Sequence, residues 1–83
     1  MRTTLKDMPV NRNAAIVAVR GGIGCHNRLS AMGLHPGREI RKIGGSFIGG
    51  PITVQINGAL VVVGEGMAQR IIVEIKPAEA SEV

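Results

Sequence analysis

Aromatic residues are almost missing from this chain: it has no Trp, no Tyr and a single Phe, Phe47. Proteins that hold single-stranded nucleic acid stack bases on aromatic side chains, and one Phe cannot build such a platform. Cysteine is nearly absent too. Cys25 stands alone, which excludes an internal disulfide framework and suits a reducing compartment. Long apolar runs are missing as well: "AAIVAV" and "ALVVV" are both far short of the roughly 20 residues that a membrane-spanning helix needs. The N-terminal stretch "MRTTLKDMPVNRN" has no apolar signal core. Nor is there a block of five or six like charges. The expectation is a soluble, cytoplasmic protein.

What is present points to strands. In 83 residues there is room for one small domain with a modest core. Ile, Val, Leu and Met must fill that core, and a β-branched inventory favours sheet. Twelve glycines and four prolines supply turns between short elements. The net charge of +4 is unevenly placed: residues 1–42 hold eight Lys/Arg against Asp7 and Glu39, and residues 43–83 hold Arg70 and Lys76 against four Glu. A basic half of this kind attracts nucleic acid, anionic lipid or an acidic protein surface.

Along the chain, Thr4 to Met8 reads as one turn with Thr4 as its cap and Leu5 and Met8 inward, ended by Pro9. "AAIVAV", Ala14 to Val19, reads as a strand. In the segment that follows, Cys25, Leu29 and Met32 share one helical face. The helix has a definite stop. With Met32 as C-cap, Gly33 takes the left-handed position and Leu34 packs back on Leu29, as in a Schellman motif. Pro36-Gly37 suits the centre of a type II turn, from which "REIRKI" leaves as a basic strand. "PITVQI" and "ALVVV" flank Asn57-Gly58, the preferred type I′ pair, and so form a hairpin. "GEGMAQR" suits a single helical turn, and "IIVEI" closes the pattern. The fold class is mainly β: a small barrel of about five strands with one short inserted helix. It occupies residues 1–76, with a polar tail over 77–83.

Candidate chemistry is sparse. "RGGIGCHNR" sets a glycine-rich loop before a helix, but neither GxxxxGK[ST] nor GxGxxG can be read in it. Cys25, His26 and His35 are the residues nearest to a soft-metal set. Adjacent helical residues diverge by about 100°, so Cys25 and His26 seldom share one ion. No physiological metal or cofactor is expected, only adventitious divalent ions at the surface. No nucleophile, base and orienting group stand in register, and no enzyme is expected.

The run Leu29-x-x-Met32-Gly33-Leu34-x-Pro36-Gly37-x-x-Ile40 resembles the signature of the FeoA family, ferrous iron transport protein A. The likeness extends through "GGPITVQINGALVVVGEGMAQRIIVEI" and covers about residues 4–76. The resemblance implies an SH3-like barrel. It also implies an accessory or regulatory partner of the large membrane ferrous-iron transporter, the FeoB protein, acting in the cytoplasm or peripherally at the inner membrane face. Similar folds end metal-dependent repressors, a version that is not expected here because residues 1–13 do not read as a DNA-binding helix pair.

The expected function is therefore protein–protein interaction within ferrous iron transport, with a basic nucleic-acid-binding barrel as the alternative and no nucleic acid in the preferred reading. The expected contact residues are Arg28, Leu29, Met32, Leu34, Arg38, Arg41 and Lys42, with Gly33, Pro36, Gly37, Asn57 and Gly58 shaping the turns. Leu29, Met32 and Leu34 also suit the gap between helix and barrel. Of Arg41 and Lys42, at most one is expected to face inward, because a strand alternates its side chains and a buried unpaired charge is costly. An exposed strand edge leaves weak self-association open.

Overall fold

Short apolar runs broken by turn residues dictate a sheet of short strands, and the computed structural model, described over residues 1–45 and 49–77, contains one. The strands are β1 (Arg2–Thr4), β2 (Asn13–Val19), β3 (Glu39–Gly44), β4 (Ile52–Ile56), β5 (Ala59–Val63) and β6 (Ile71–Ile75). Two helices interrupt them, α1 (Ile23–Ala31) and α2 (Glu65–Ala68). All pairings are antiparallel, in the order β1-β6-β2-β3-β4-β5. This is the expected small SH3-like β-domain with one strand more than anticipated. β1 is three residues of Arg-Thr-Thr, too short and polar to show as a strand until Thr3 pairs with Val73. The segment after Lys76 was expected to be a polar tail; residues 78–83 lie outside the described residues.

Irregularities bend the sheet around its core. The ladder between β2 and β6 shifts register between Ile16 and Ala18, and that between β3 and β4 shifts between Lys42 and Gly44. Such bulges increase local twist and let short strands curl. Inside lie Ile16, Ile40, Ile52, Val54, Ile71 and Val73 from the strands, Leu29 from α1, and Leu5 and Met8 from the N-terminal turn. That turn is as expected: the Thr4 carbonyl accepts from Met8 N–H and the Thr4 hydroxyl accepts from Asp7 N–H.

The stop after α1 is built as the sequence requires. Leu34 N–H donates to the Leu29 carbonyl (2.8 Å) and Gly33 N–H to the Ser30 carbonyl (2.9 Å), the two bonds of a Schellman motif. Gly33 sits at φ +87°. The type II turn follows, with Gly37 at φ +93° and Arg38 N–H donating to the His35 carbonyl. Asn57 and Gly58 take φ +51° and +85°, as a type I′ hairpin turn demands.

A candidate partner-binding surface

β3 leaves the turn with its side chains alternating, and that alternation sorts the expected contact residues. Ile40 and Lys42 face inward, while Glu39, Arg41 and Ile43 face outward. Lys42 is only 5% exposed. It was expected to meet a partner from the surface; instead its ammonium group closes the fold. Nζ donates to the carbonyls of Lys6 (2.8 Å) and Met8 (2.7 Å), at the end of the N-terminal turn. The turn buries Leu5 and Met8 and so carries carbonyls with no helical continuation to satisfy them. A long aliphatic stem through the core with a charged head at those carbonyls solves both problems. Desolvation lowers the Lys42 pKa below the ordinary 10.5, opposed by the attraction of Asp7 and reinforced by Lys6.

Leu29 and Leu34 are likewise wholly buried, and Met32 packs partly against the same cluster. These three hold α1 on the barrel. Leu29 and Leu34 are thereby unavailable for direct contact in this conformation. Arg28 is exposed in the last turn of α1, where a cation complements the helix dipole. Arg38 is half-buried, and among the described residues its Nε has no acceptor. Arg41 is half-buried on the outer face, in a long contact from Nη1 to Asn13 Oδ1 (3.4 Å).

Arg41 has neighbours that the linear sequence did not reveal. Asn13 pairs with Arg41 across β2 and β3, and Lys76 N–H donates to the Asn13 carbonyl. Arg12 Nη2 donates to the Lys76 carbonyl (2.8 Å). A groove of about 300 Å³ is lined by Arg41, Lys76, Glu39 and Gln55, among others. Beside it, a cavity of about 640 Å³ takes Arg2, Arg12 and Lys76 in its wall, with Asp7. Lys76 borders both. The result is a charged surface with a cationic excess, drawn from residues 64 positions apart, in which Glu39 holds Lys76 (2.5 Å) and Glu74 holds Arg2 (2.9 Å), while Arg12 and Arg41 have no carboxylate partner among the described residues. Reading charge by sequence blocks missed it because Lys76 belongs to the net-acidic half. Only strand pairing brings it beside Arg12.

Cys25, His26 and His35, the residues nearest to a soft-metal set in the sequence, do not form a three-ligand group among the described residues. Cys25 Sγ lies 3.9 Å from Met67 Sδ, against the core. His26 is exposed, and His35 Nδ1 faces the Pro36 carbonyl at 3.1 Å. Among the described residues no group of three His, Cys, Asp or Glu side chains is placed to hold an ion. Among the same residues no helix is long and apolar enough to cross a membrane.

Comparison with known proteins gives a consistent likeness. No curated protein matches the sequence. The chain is similar to the iron uptake regulatory protein FeoA, whose crystal structure it matches with a TM-score of 0.83 at 29% identity, over 92% of this chain and 99% of that one. It is similar also to iron(II) transport protein A from Clostridium thermocellum, with a TM-score of 0.80 at 26% identity, over 88% of this chain and 45% of that one. The crystal structure of ScaR with bound Zn2+ shares the fold, with a TM-score of 0.78 at 22% identity. Here 87% of this chain corresponds to 36% of the longer one. The sequence model of the FeoA domain matches residues 3–75, and the chain belongs to that family, which is associated with ferrous iron transport.

Proposed function

We propose that this protein is a non-enzymatic accessory module of ferrous iron transport that binds the cytoplasmic face of an FeoB-type membrane transporter. The observation that carries this reading is the cationic surface formed by Arg12, Arg41 and Lys76, which have groove and cavity space around them. Such a surface attracts an acidic protein face and orients the encounter. Membership of the FeoA family supplies the system in which that face is sought. The protein then works in the cytoplasm, held peripherally at the membrane by its partner, with the helix α1 and its basic residue Arg28 as a second point of contact.

The test is paired. Arg12→Ser combined with Arg41→Ser is made in the full chain, leaving Lys42 in place. Melting is then compared with capture of the transporter from membranes at several salt concentrations. The variant is expected to melt near the parent, to capture less transporter, and to lose part of the salt dependence of capture. Normal melting with full capture removes the cationic surface from the site. If the parent instead binds mixed-sequence DNA or RNA with log affinity falling linearly in log salt, the nucleic-acid reading replaces this one.

A further inference from the structure

β5 ends the sheet: it pairs with β4, and among the described residues no strand lies on its other side. A two-residue type I′ turn makes its flanking residues, Ile56 and Ala59, a hydrogen-bonded pair. Hydrogen bonding alternates from there in an antiparallel ladder. Val61 and Val63 therefore turn their backbone groups to β4, and the N–H and C=O groups of Leu60 and Val62 point to the open edge. The same two residues are 64% and 59% exposed. Exposed edges are usually blunted by charge, proline or a bulge. β5 has none of these: its sequence is Ala-Leu-Val-Val-Val, in unbroken register with β4.

We propose that β5 is a self-pairing edge, taking β5 of a second copy of this chain in antiparallel alignment about a two-fold axis at Val61. An open edge of this kind accepts a strand, and charge decides which one. No charged residue occurs between Lys42 and Glu65, so the β4–β5 hairpin is the part of a +4 molecule where two copies approach with least repulsion. The other edge strand, β1, carries Arg2 in an ion pair with Glu74 and offers no uncharged counterpart. About Val61, each Leu60 faces Val62 of the second copy. Four outward backbone groups on each strand are satisfied, and four aliphatic side chains gather on one face. The contact is small, well under the roughly 1,200 Å² of a standard interface, so the dimer is weak and concentration-dependent. Beyond the transporter reading, it gives each assembly two cationic surfaces.

Analytical ultracentrifugation of the full chain from micromolar to millimolar concentration tests this. A monomer–dimer equilibrium is expected, strengthened between 0.1 and about 0.5 M salt as the charges on the two copies are screened. Leu60→Lys and Val62→Glu are each expected to be monomeric where the parent dimerises. Mixed together they should dimerise again, since the two-fold sets position 60 opposite position 62. A second measurement needs no variant: amide exchange at Leu60 and Val62 should slow as parent concentration rises, with Val61 unchanged. A parent that stays monomeric at millimolar concentration overturns the proposal. So does a dimer that persists in both single variants, or protection that appears elsewhere.

Discussion

At one end of the sheet, β1 is a three-residue strand whose Arg2, with the N-terminal amine, is bonded to Glu74 of β6. At the other end, β5 has no charged side chain, and its Leu60 and Val62 stand in solvent. Between them the same sheet changes character. The region around β1, the N-terminal turn and β3 is organised by polar contacts: Lys42 to two carbonyls, Arg12 to the Lys76 carbonyl, Glu39 to Lys76. The β4–β5 hairpin is organised by backbone geometry and by Ile52, Val54, Ile56 and Val63 inside. A polar framework is sensitive to pH and salt, and an apolar hairpin is not. The difference suits the two ends to the separate uses proposed for them, an electrostatic face for a partner and a neutral edge for self-pairing.

The most severe way to break the polar half is Lys42→Met, which keeps the stem and removes the donor. Two carbonyls, that of Met8 buried and that of Lys6 partly so, lose charge-assisted bonds of about 1.5–3 kcal/mol each, partly offset by the desolvation no longer required, for a net loss of roughly 2–3 kcal/mol. For a domain of this size, that is a fall in melting temperature on the order of 10–20 °C. The pH dependence sharpens the assignment. The folded pKa lies below 10.5, so the unfolded chain binds more protons between the two values. Parent stability should therefore gain on that of the variant as pH rises through this window. An equal melting temperature would mean that the Lys6 and Met8 carbonyls find water instead.

In the neutral half the corresponding lesion is Gly58→Val. A β-branched residue resists the positive φ of the type I′ turn, at a cost of about 2 kcal/mol. Thermal melting reads it, and the loss should not change as pH rises toward 10.5, unlike that of Lys42→Met. Gly33→Ala comes next, at about 1 kcal/mol. An added Cβ would meet only Ile56 Cδ1, at 3.8 Å, so the cost is backbone strain without a clash. Melting that is unchanged in Gly33→Ala would show that the α1 stop tolerates a left-handed alanine.

The smallest effect is at the β1 edge. Hydrogen bonds from the N-terminal amine and from Arg2 hold the Glu74 carboxyl below its ordinary value of 4.5. The stability that this adds is present above 4.5 and is lost as pH falls through the lowered folded value. As pH falls below 4.5 the parent should progressively lose the small advantage it has over Glu74→Gln. Exchange of the Thr3 and Thr4 amides should report the loosening of β1 before the global melt does.

Turns and apolar faces were legible in the sequence because their causes are local. Gly33, Pro36-Gly37 and Asn57-Gly58 determine backbone geometry within four residues, and alternation over "PITVQI" sets its buried face without reference to any other strand. The helix face of Cys25, Leu29 and Met32 follows from helical periodicity in the same way. β3 was not decided locally. In "EIRKI", Ile40 and Ile43 have opposite parity, so one isoleucine must face out, and the sequence does not say which one. The choice falls to the N-terminal turn, whose carbonyls accept an ammonium group from the inner face. Lys42 then points in and Ile43 stays out at the bulge. The cationic surface has the same origin. Arg12, Arg41 and Lys76 become neighbours only through the pairing of β2 with β3 and β6, and charge counted along the chain cannot anticipate charge assembled across strands.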